Sequence, residues 1–306
     1  MAPRLWRLML VALFGIGECT LHADVQYTVT SDLHKVEVPH TGAIYTAFHP
    51  AAETRSKSKK PLLFFLGGSE GGIWTGNDPI VLSLRTQGYH VVTVGYFKMP
   101  GISKQLTRID LEPFGKAIEL FKKHPGVDPD RIGIVGGSKG AELALLLATR
   151  YPDIHLVATF VPSHVLFQGI NIALFSHHSS WRYQGEELPF VPYDPFSWAA
   201  LKGVLSGENY RDMHLQALQN REAVRTATIP VEKINGPIFL LSATRDQFWP
   251  STPMSERIMH RLDAYGFRFP HQHVAWNSNH FILRDPKAWD TLLHFLQKQW
   301  PTNTHN

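Results

Sequence analysis

One stretch constrains the fold of this chain more than any other: residues 131–148, which read Arg-Ile-Gly-Ile-Val-Gly-Gly-Ser-Lys-Gly-Ala-Glu-Leu-Ala-Leu-Leu-Leu-Ala. The pattern predicts a short apolar strand, a sharp G-x-S-x-G turn and a helix. Such a turn places its serine, Ser138, at the apex with the hydroxyl exposed above the strand end. The glycines beside it suit a strained turn in which a Cβ has no room. The helix start also points free N–H groups at the serine, which suits an oxyanion. The alternative is a Gly-rich turn in which the serine only caps the helix.

The first 23 residues have the pattern of an export signal. Arg4 and Arg7 precede an apolar run, residues 8–17, that is too short to span a bilayer. Because Ala23 is a small residue at the end of this segment, we expect cleavage there and an exported chain, periplasmic or secreted. The alternative is an uncleaved anchor. Residues 24–306 are enough for a single domain with a large core.

Composition excludes several classes of site. Cys19, the only cysteine, lies in the predicted signal, so a cleaved chain has no disulfide, no thiolate metal site and no cysteine nucleophile. Cleavage would lower the formal net charge only from +4 to +3, and residues 57–60 are the only dense basic cluster. We therefore expect no nucleic-acid partner, and no later apolar run is long enough to span a membrane.

Apolar runs and amphipathic segments alternate along the chain. Continuous apolar runs predict buried strands at 61–66, 90–96, 156–161 and 237–243. Shorter patterns predict a first strand at 25–30 and a last strand at 273–276, and residues 35–38 and 43–48 predict either a second strand or a hairpin. The segments between the buried strands have helical spacing, and Asp110 is the predicted cap of one helix. This order predicts an α/β fold with a mostly parallel sheet and helices on both faces.

Residues 164–232 interrupt this alternation. They lie between two predicted sheet strands but contain no strand-like run, so we expect a lid inserted into the domain. The segment is rich in aromatic residues, and Phe167, Trp181 and Phe190 are candidates for an apolar substrate pocket. The same side chains could instead form a small core of the lid itself.

A serine nucleophile needs a base and an acid that orients the base. In open α/β sheets, functional side chains lie past the carboxyl ends of strands. Asp246 follows the strand predicted at 237–243, and His280 follows the last predicted strand, which gives the order Ser, Asp, His. His164 is the rival base and Asp194 the rival acid.

An oxyanion would need two donors close to Ser138. One candidate is the backbone N–H of Lys139, and the other is the N–H of Gly68 or Ser69 in the Gly-rich loop 67–72. A phosphate-binding role for this loop is the alternative, but it lacks the G-x-x-x-x-G-K-[ST] spacing.

Other polar residues have less specific patterns. We expect Lys139 and Glu142 to lie on the surface or to support the site from behind, although Lys139 could hold an anionic substrate group. His271 and His273 share a face of the last strand, and His177 is followed by a second histidine, His178. No nearby carboxylate completes a zinc set, so we predict no metal and no other cofactor.

Three segments carry a family resemblance: residues 127–143 with Ser-Lys-Gly-Ala-Glu-Leu, residues 162–169, and residues 65–72. They resemble the C-terminal catalytic domain shared by acyl-CoA thioesterases and bile acid-CoA:amino acid N-acyltransferases. The resemblance covers roughly residues 60–300 and implies an α/β-hydrolase fold. It also implies that Ser138, Asp246 and His280 form a catalytic triad that works through an acyl-enzyme.

The resemblance implies a serine hydrolase of acyl thioesters or carboxylic esters. Longer family members carry an N-terminal β-sandwich, whereas only about 35 residues of the expected mature chain precede the core here. The amino-acid-transferring members use cysteine as the nucleophile. The family thioesterases act on acyl-CoA inside cells, whereas this chain has the pattern of an exported one. The alternatives are an acyltransferase, a dienelactone hydrolase-like or other carboxylesterase, a peptidase of the same fold and a non-catalytic ligand-binding protein.

Overall fold

The computed structural model describes residues 33–52, 58–170, 177–207 and 209–302. The predicted export signal and the strand predicted at 25–30 lie outside these residues. Across the described ranges, no helix has both the length and the apolar character of a membrane span.

The strands of the described residues, in chain order, are β1 (Leu33–Glu37), β2 (Ala43–His49), β3 (Lys60–Leu66), β4 (His90–Gly95), β5 (Ile109–Asp110), β6 (Val127–Gly137), β7 (Val157–Phe160), β8 (Trp181–Tyr183), β9 (Glu186–Glu187), β10 (Ile238–Ala243) and β11 (His271–Trp276). The helices are α1 (Pro79–Thr86), α2 (Glu112–Lys122), α3 (Lys139–Arg150), α4 (Trp198–Ser206), α5 (Arg211–Ala217), α6 (Arg221–Ala227), α7 (Ser251–Ala264) and α8 (Pro286–Gln299). Short 3-10 turns cover Val231–Lys233 and Ile282–Arg284.

The central sheet has the strand order β1-β2-β4-β3-β6-β7-β10-β11. In this order, β4, β3, β6, β7, β10 and β11 pair in parallel with their neighbours. The hairpin of β1 and β2 adds an antiparallel edge next to β4. The mostly parallel sheet predicted from the alternating pattern is confirmed. It brings the carboxyl ends of β3, β6, β10 and β11 to one edge, where the candidate site residues follow them.

Both faces of the sheet are buried, which is why the central strands read as continuous apolar runs. In β3, Leu62 and Phe64 belong to one core and Leu63 and Phe65 to the other. The first core is covered by α2, α3, α7 and part of the inserted segment, and the second by α1 and α8. Helices therefore pack on both faces, as the sequence predicts.

The prediction that Asp110 caps a helix is wrong. Leu111 occupies the N-cap of α2 without a side-chain cap, and Asp110 belongs to β5. The buried Asp110 carboxylate instead accepts two hydrogen bonds from Arg182, at 2.5 and 2.8 Å. Residue spacing could not reveal this partner because it lies 72 positions away in the chain.

The inserted segment is more structured than its sequence suggests. It contains α4, α5 and α6, as well as β8 and β9, which join β5 in a three-stranded sheet. The expectation of no strand in this segment is therefore wrong. A strand of two or three residues is too short to show alternation, and β8 is held instead by pairing with β5 and by the ion pair of Arg182 with Asp110.

Candidate active site

Ser138 lies in a strained turn between β6 and α3. Its φ is 54° and its ψ is −119°, a left-handed backbone conformation that a residue other than glycine rarely adopts. The glycines on both sides are sterically required. A Cβ on Gly136 would lie 2.2 Å from the Gly140 oxygen, and a Cβ on Gly140 would lie 2.2 Å from the Gly67 oxygen. The predicted close-packed turn is therefore present, and Ser138 remains half-exposed at its apex.

The structure brings Ser138, His280 and Asp246 into one hydrogen-bonded chain. His280 Nε2 lies 2.9 Å from Ser138 Oγ, and His280 Nδ1 lies 2.8 Å from Asp246 Oδ1. An ionised carboxylate can only accept, so Nδ1 carries the proton and Nε2 is the acceptor for the serine hydroxyl. This is the arrangement that makes a serine a nucleophile.

The Asp246 carboxylate is held by hydrogen bonds in addition to the one from His280. It lies just past β10, it is 1% exposed, and its Oδ1 also accepts the backbone N–H groups of Phe248 and Trp249, at 3.0 and 3.2 Å. The backbone N–H of His280 donates to the Gln247 side chain at 3.2 Å. Because each member is held by the short segment that follows its own strand, the ring has little freedom to leave Ser138.

The two rival residues lie elsewhere. His164 is buried, and neither of its ring nitrogens has a hydrogen-bond partner among the described residues. Burial, with a smaller contribution from the nearby Arg257 charge, lowers the pKa of His164 to about 3. Asp194 is exposed, and its carboxylate accepts the backbone N–H of Phe196. Neither rival is hydrogen-bonded to a member of the Ser138 chain.

The loop after β3 meets the Ser138 turn as predicted. A Cβ on Gly68 would lie 3.1 Å from Ser138 Cβ, so this loop runs directly beside the serine. The hydroxyl of Tyr96 donates to the Gly67 oxygen at 2.6 Å and holds the loop from behind. The Gly68 N–H, however, already donates to the Glu70 carboxylate at 2.8 Å, whereas no acceptor is found for the Ser69 or Lys139 N–H within the described ranges.

Lys139 and Glu142 are buried rather than exposed, so a surface position is wrong for both. Lys139 Nζ lies 2.7 Å from Glu142 Oε1, and their side chains are 3% and 0% exposed. The Glu142 carboxylate also accepts the Trp181 indole N–H at 2.7 Å and the Phe167 N–H at 3.3 Å. Burial is the main cause that lowers the pKa of Lys139 and raises that of Glu142. The pair joins α3 to the inserted segment, and the Lys139 ammonium is not free to hold a substrate anion.

The predicted substrate-binding aromatics pack inside the protein. Phe167 and Trp181 are fully buried, and Phe190 is half-buried against the same core. These rings therefore belong to the core that they share with the central sheet and not to a separate small core of the lid, and their role in substrate binding stays a prediction. The aromatic side chains that flank the histidine are Phe248, Trp249 and Phe281, whose ring centroids lie 4.8, 5.9 and 6.2 Å from that of His280. These aromatic residues lie within three positions of Asp246 or His280 in the sequence, and this proximity is the feature from which they could have been predicted.

The histidines considered as metal ligands have protein partners. His271 Nε2 lies 3.1 Å from Asp263, and His273 Nε2 lies 2.8 Å from Ser242 Oγ. His177 contacts Gln168 and His178 contacts Glu187. No three His, Cys, Asp or Glu side chains of the described segments form a group that could hold a metal ion.

Comparison with solved structures identifies the fold. The α/β hydrolase GrgF from Penicillium sp. sh18 superposes with a TM-score of 0.56 at 14% sequence identity, over 88% of this chain and 99% of that chain. The protein therefore has the α/β-hydrolase fold that the family resemblance implied.

Comparison of sequences gives two kinds of relative. Mouse acyl-coenzyme A thioesterase 6 is 28% identical over 210 residues, which is 69% of this chain and 46% of that protein. Mouse acyl-coenzyme A amino acid N-acyltransferase 1 is 28% identical over 183 residues, 60% of this chain and 40% of that protein. This chain thus spans less than half the length of either relative.

The family described as BAAT / acyl-CoA thioester hydrolase C terminal matches residues 109–287. This range is more than half of the chain, and it includes Ser138, Asp246 and His280. The chain therefore belongs to the BAAT / acyl-CoA thioester hydrolase C-terminal family.

Proposed function

We propose that this protein is a serine hydrolase that cleaves an acyl thioester or carboxylic ester through an acyl-enzyme. The observation that carries the proposal is the hydrogen-bonded chain from Ser138 Oγ through His280 to Asp246, at 2.9 and 2.8 Å, with the serine at the apex of a strained turn. The thioesterases among its relatives support the substrate class.

The proposed reaction uses only groups of this chain and water. His280 Nε2 takes the proton of the Ser138 hydroxyl as Oγ attacks the acyl carbonyl carbon. The buried Asp246 carboxylate stabilises the imidazolium that forms. When the bond to the thiol or alcohol breaks, His280 Nε2 returns the proton to that leaving group and the acyl group remains on Oγ.

The second half repeats these steps with water. His280 takes a proton from water, the resulting hydroxide attacks the acyl carbon, and Ser138 Oγ leaves and is reprotonated by His280. In both halves the carbonyl oxygen becomes an oxyanion. The Lys139 N–H and one N–H of the 67–72 loop are the proposed donors, because both segments lie against Ser138.

The test is hydrolysis of p-nitrophenyl esters and acyl-CoAs of several chain lengths by the parent protein and by Ser138→Ala. We expect Ser138→Ala to lower kcat/KM by at least about 10⁴-fold, because the nucleophile is lost. Ser83→Ala, on α1, is the matched control and should keep the parent rate. Turnover that survives Ser138→Ala would refute the proposal, and comparison of the two substrate series distinguishes an esterase from a thioesterase.

A second candidate function is acyl transfer, which the N-acyltransferase among the relatives supports. The same acyl-enzyme would then be attacked by an amine instead of water. Adding amino acids to the assay separates the two: transfer yields an N-acyl amino acid in place of free acid, whereas hydrolysis yields free acid at any amino acid concentration.

We further propose that residues 1–23 direct export, on the basis of their sequence pattern. Expression with and without these residues, followed by N-terminal sequencing of the exported protein, tests this. An intact N-terminus on protein retained in the cell would contradict it.

A further inference from the structure

The loop that should supply an oxyanion donor carries its own anion. Glu70 Oε1 accepts the Gly68 N–H at 2.8 Å and the indole N–H of Trp74 at 3.1 Å. A Cβ on Gly68 would lie 2.9 Å from Glu70 Oε2 and 3.1 Å from Ser138 Cβ. Glu70 Oε2 and Ser138 Cβ therefore lie no more than about 6 Å apart.

This placement opposes the proposed chemistry in two ways. An amide has one hydrogen, so the Gly68 N–H cannot donate fully to a carbonyl oxygen while it donates to Glu70. A carboxylate also repels the negative charge that develops on the carbonyl oxygen during attack by Ser138. An oxyanion that uses the Gly68 N–H as a donor can therefore form only when Glu70 leaves this position.

The Glu70 side chain can leave this position while the loop backbone keeps its conformation. Glu70 is exposed, so its carboxylate can rotate into water. The loop backbone is held by other contacts: Tyr96 OH to the Gly67 oxygen at 2.6 Å and Lys98 Nζ to the Glu70 carbonyl oxygen at 3.1 Å. None of these contacts involves the Glu70 carboxylate.

We propose that the Glu70 carboxylate is an internal competitor of the substrate, an autoinhibitory contact that occupies the Gly68 amide in the resting enzyme and leaves when the acyl carbonyl binds. The proposal rests on the proposed serine hydrolase function. The carboxylate lowers the fraction of enzyme that is competent to bind, so its removal should raise the apparent affinity for any ligand that places an oxyanion at Ser138.

The test compares Glu70→Ala and Glu70→Gln with the parent, using a neutral p-nitrophenyl ester and a trifluoromethyl ketone. Ser138 Oγ adds to the ketone carbonyl carbon while its proton passes to His280 Nε2, which leaves an anionic hemiketal oxygen. Calorimetry measures the affinity for the ketone without any turnover. Glu70→Ala should raise kcat/KM and tighten ketone binding roughly tenfold, the scale of one competing hydrogen bond to a charged group. Glu70→Gln should give a smaller gain because a neutral acceptor remains.

Two further variants make the result specific. Trp74→Phe removes the indole N–H that holds the carboxylate but keeps the charge, and it should raise both quantities by a smaller factor than Glu70→Ala. Glu119→Gln removes an exposed carboxylate on α2 and should change neither. Circular dichroism confirms the fold of each variant.

An unchanged or weaker ketone affinity in Glu70→Ala would overturn the autoinhibitory contact, whether or not the parent turns over esters. A folded parent without any Ser138-dependent turnover would instead overturn the proposed function. The ketone affinities of the parent and Glu70→Ala would then still decide the role of Glu70.

Discussion

The buried ion pair of Lys139 and Glu142 gives the sharpest prediction about stability. Replacing Lys139 by Met leaves the Glu142 carboxylate, which is 0% exposed, without its cation at 2.7 Å, although the hydrogen bonds from Trp181 and Phe167 remain. Removing one partner of a buried pair costs about 3–5 kcal/mol, and we expect the lower end, about 3 kcal/mol, because two donors remain. Glu142→Gln should cost a similar amount, since it leaves the ammonium of Lys139 buried.

The double variant Lys139→Met/Glu142→Gln removes both charges and should cost about 3 kcal/mol, not the sum of the two single changes. The double-mutant cycle should therefore show a coupling free energy of about 3 kcal/mol, measured by urea unfolding with an unchanged m value. Lys116 and Glu119 form a matched control on α2 with the same three-residue spacing but exposed side chains, 3.7 Å apart. Their coupling should be about 0–0.5 kcal/mol. Additive single effects at Lys139 and Glu142 would show that the two buried charges do not stabilise each other.

Three other predictions follow from the structure. Asp246→Asn should lower kcat/KM about 10³-fold or more, because it removes the charge that stabilises the His280 imidazolium and places an NH2 where the buried Oδ2 has no partner; a loss below tenfold would contradict this role. Gly140→Ala should destabilise the fold by about 2 kcal/mol or more and lower activity, because its Cβ would meet the Gly67 oxygen at 2.2 Å, and unchanged urea unfolding would contradict the close contact. The pKa of His164 is about 3 in the folded protein and about 6.5 in the unfolded chain. Between these pH values the unfolded chain binds more protons than the folded protein, so the free energy of unfolding falls as the pH drops. At pH 5 this costs about 2 kcal/mol relative to neutral pH, and His164→Leu should recover it there; unfolding curves at pH 5 and pH 7.5 check this, and an equal effect of the variant at both would contradict it.

The sequence predicts the sheet and the Ser138 chain well because both depend on local patterns. Continuous apolar runs mark strands that are buried on both faces, and the carboxyl ends of such strands must meet at one edge. Asp246 and His280 follow shortly after their strands, so the parallel order places both at the same edge of the sheet as Ser138. The two glycines that the turn requires, Gly136 and Gly140, lie within one five-residue motif and can therefore also be recognised from the sequence.

The errors involve partners that lie far apart in the chain. Lys139 and Glu142 look like the polar face of a helix, but Trp181 and the backbone of Phe167 cover them with hydrogen bonds from the inserted segment. Asp110 looks like a helix cap, but Arg182 offers it a bidentate partner. Residue spacing within one element cannot show which side chains another segment will bury. The contact of Glu70 with the Gly68 N–H could not be predicted from the sequence either, because it depends on the conformation of the loop.

The proposed function requires Ser138 to be a nucleophile that His280 activates. The most direct measurement is labelling of the folded protein with a fluorophosphonate, with the adduct located by mass spectrometry of the digested protein. We expect one adduct on Ser138, no adduct in Ser138→Ala and a labelling rate lowered by orders of magnitude in His280→Ala. An adduct on another residue, labelling that persists in Ser138→Ala, or no labelling of the folded parent would contradict it.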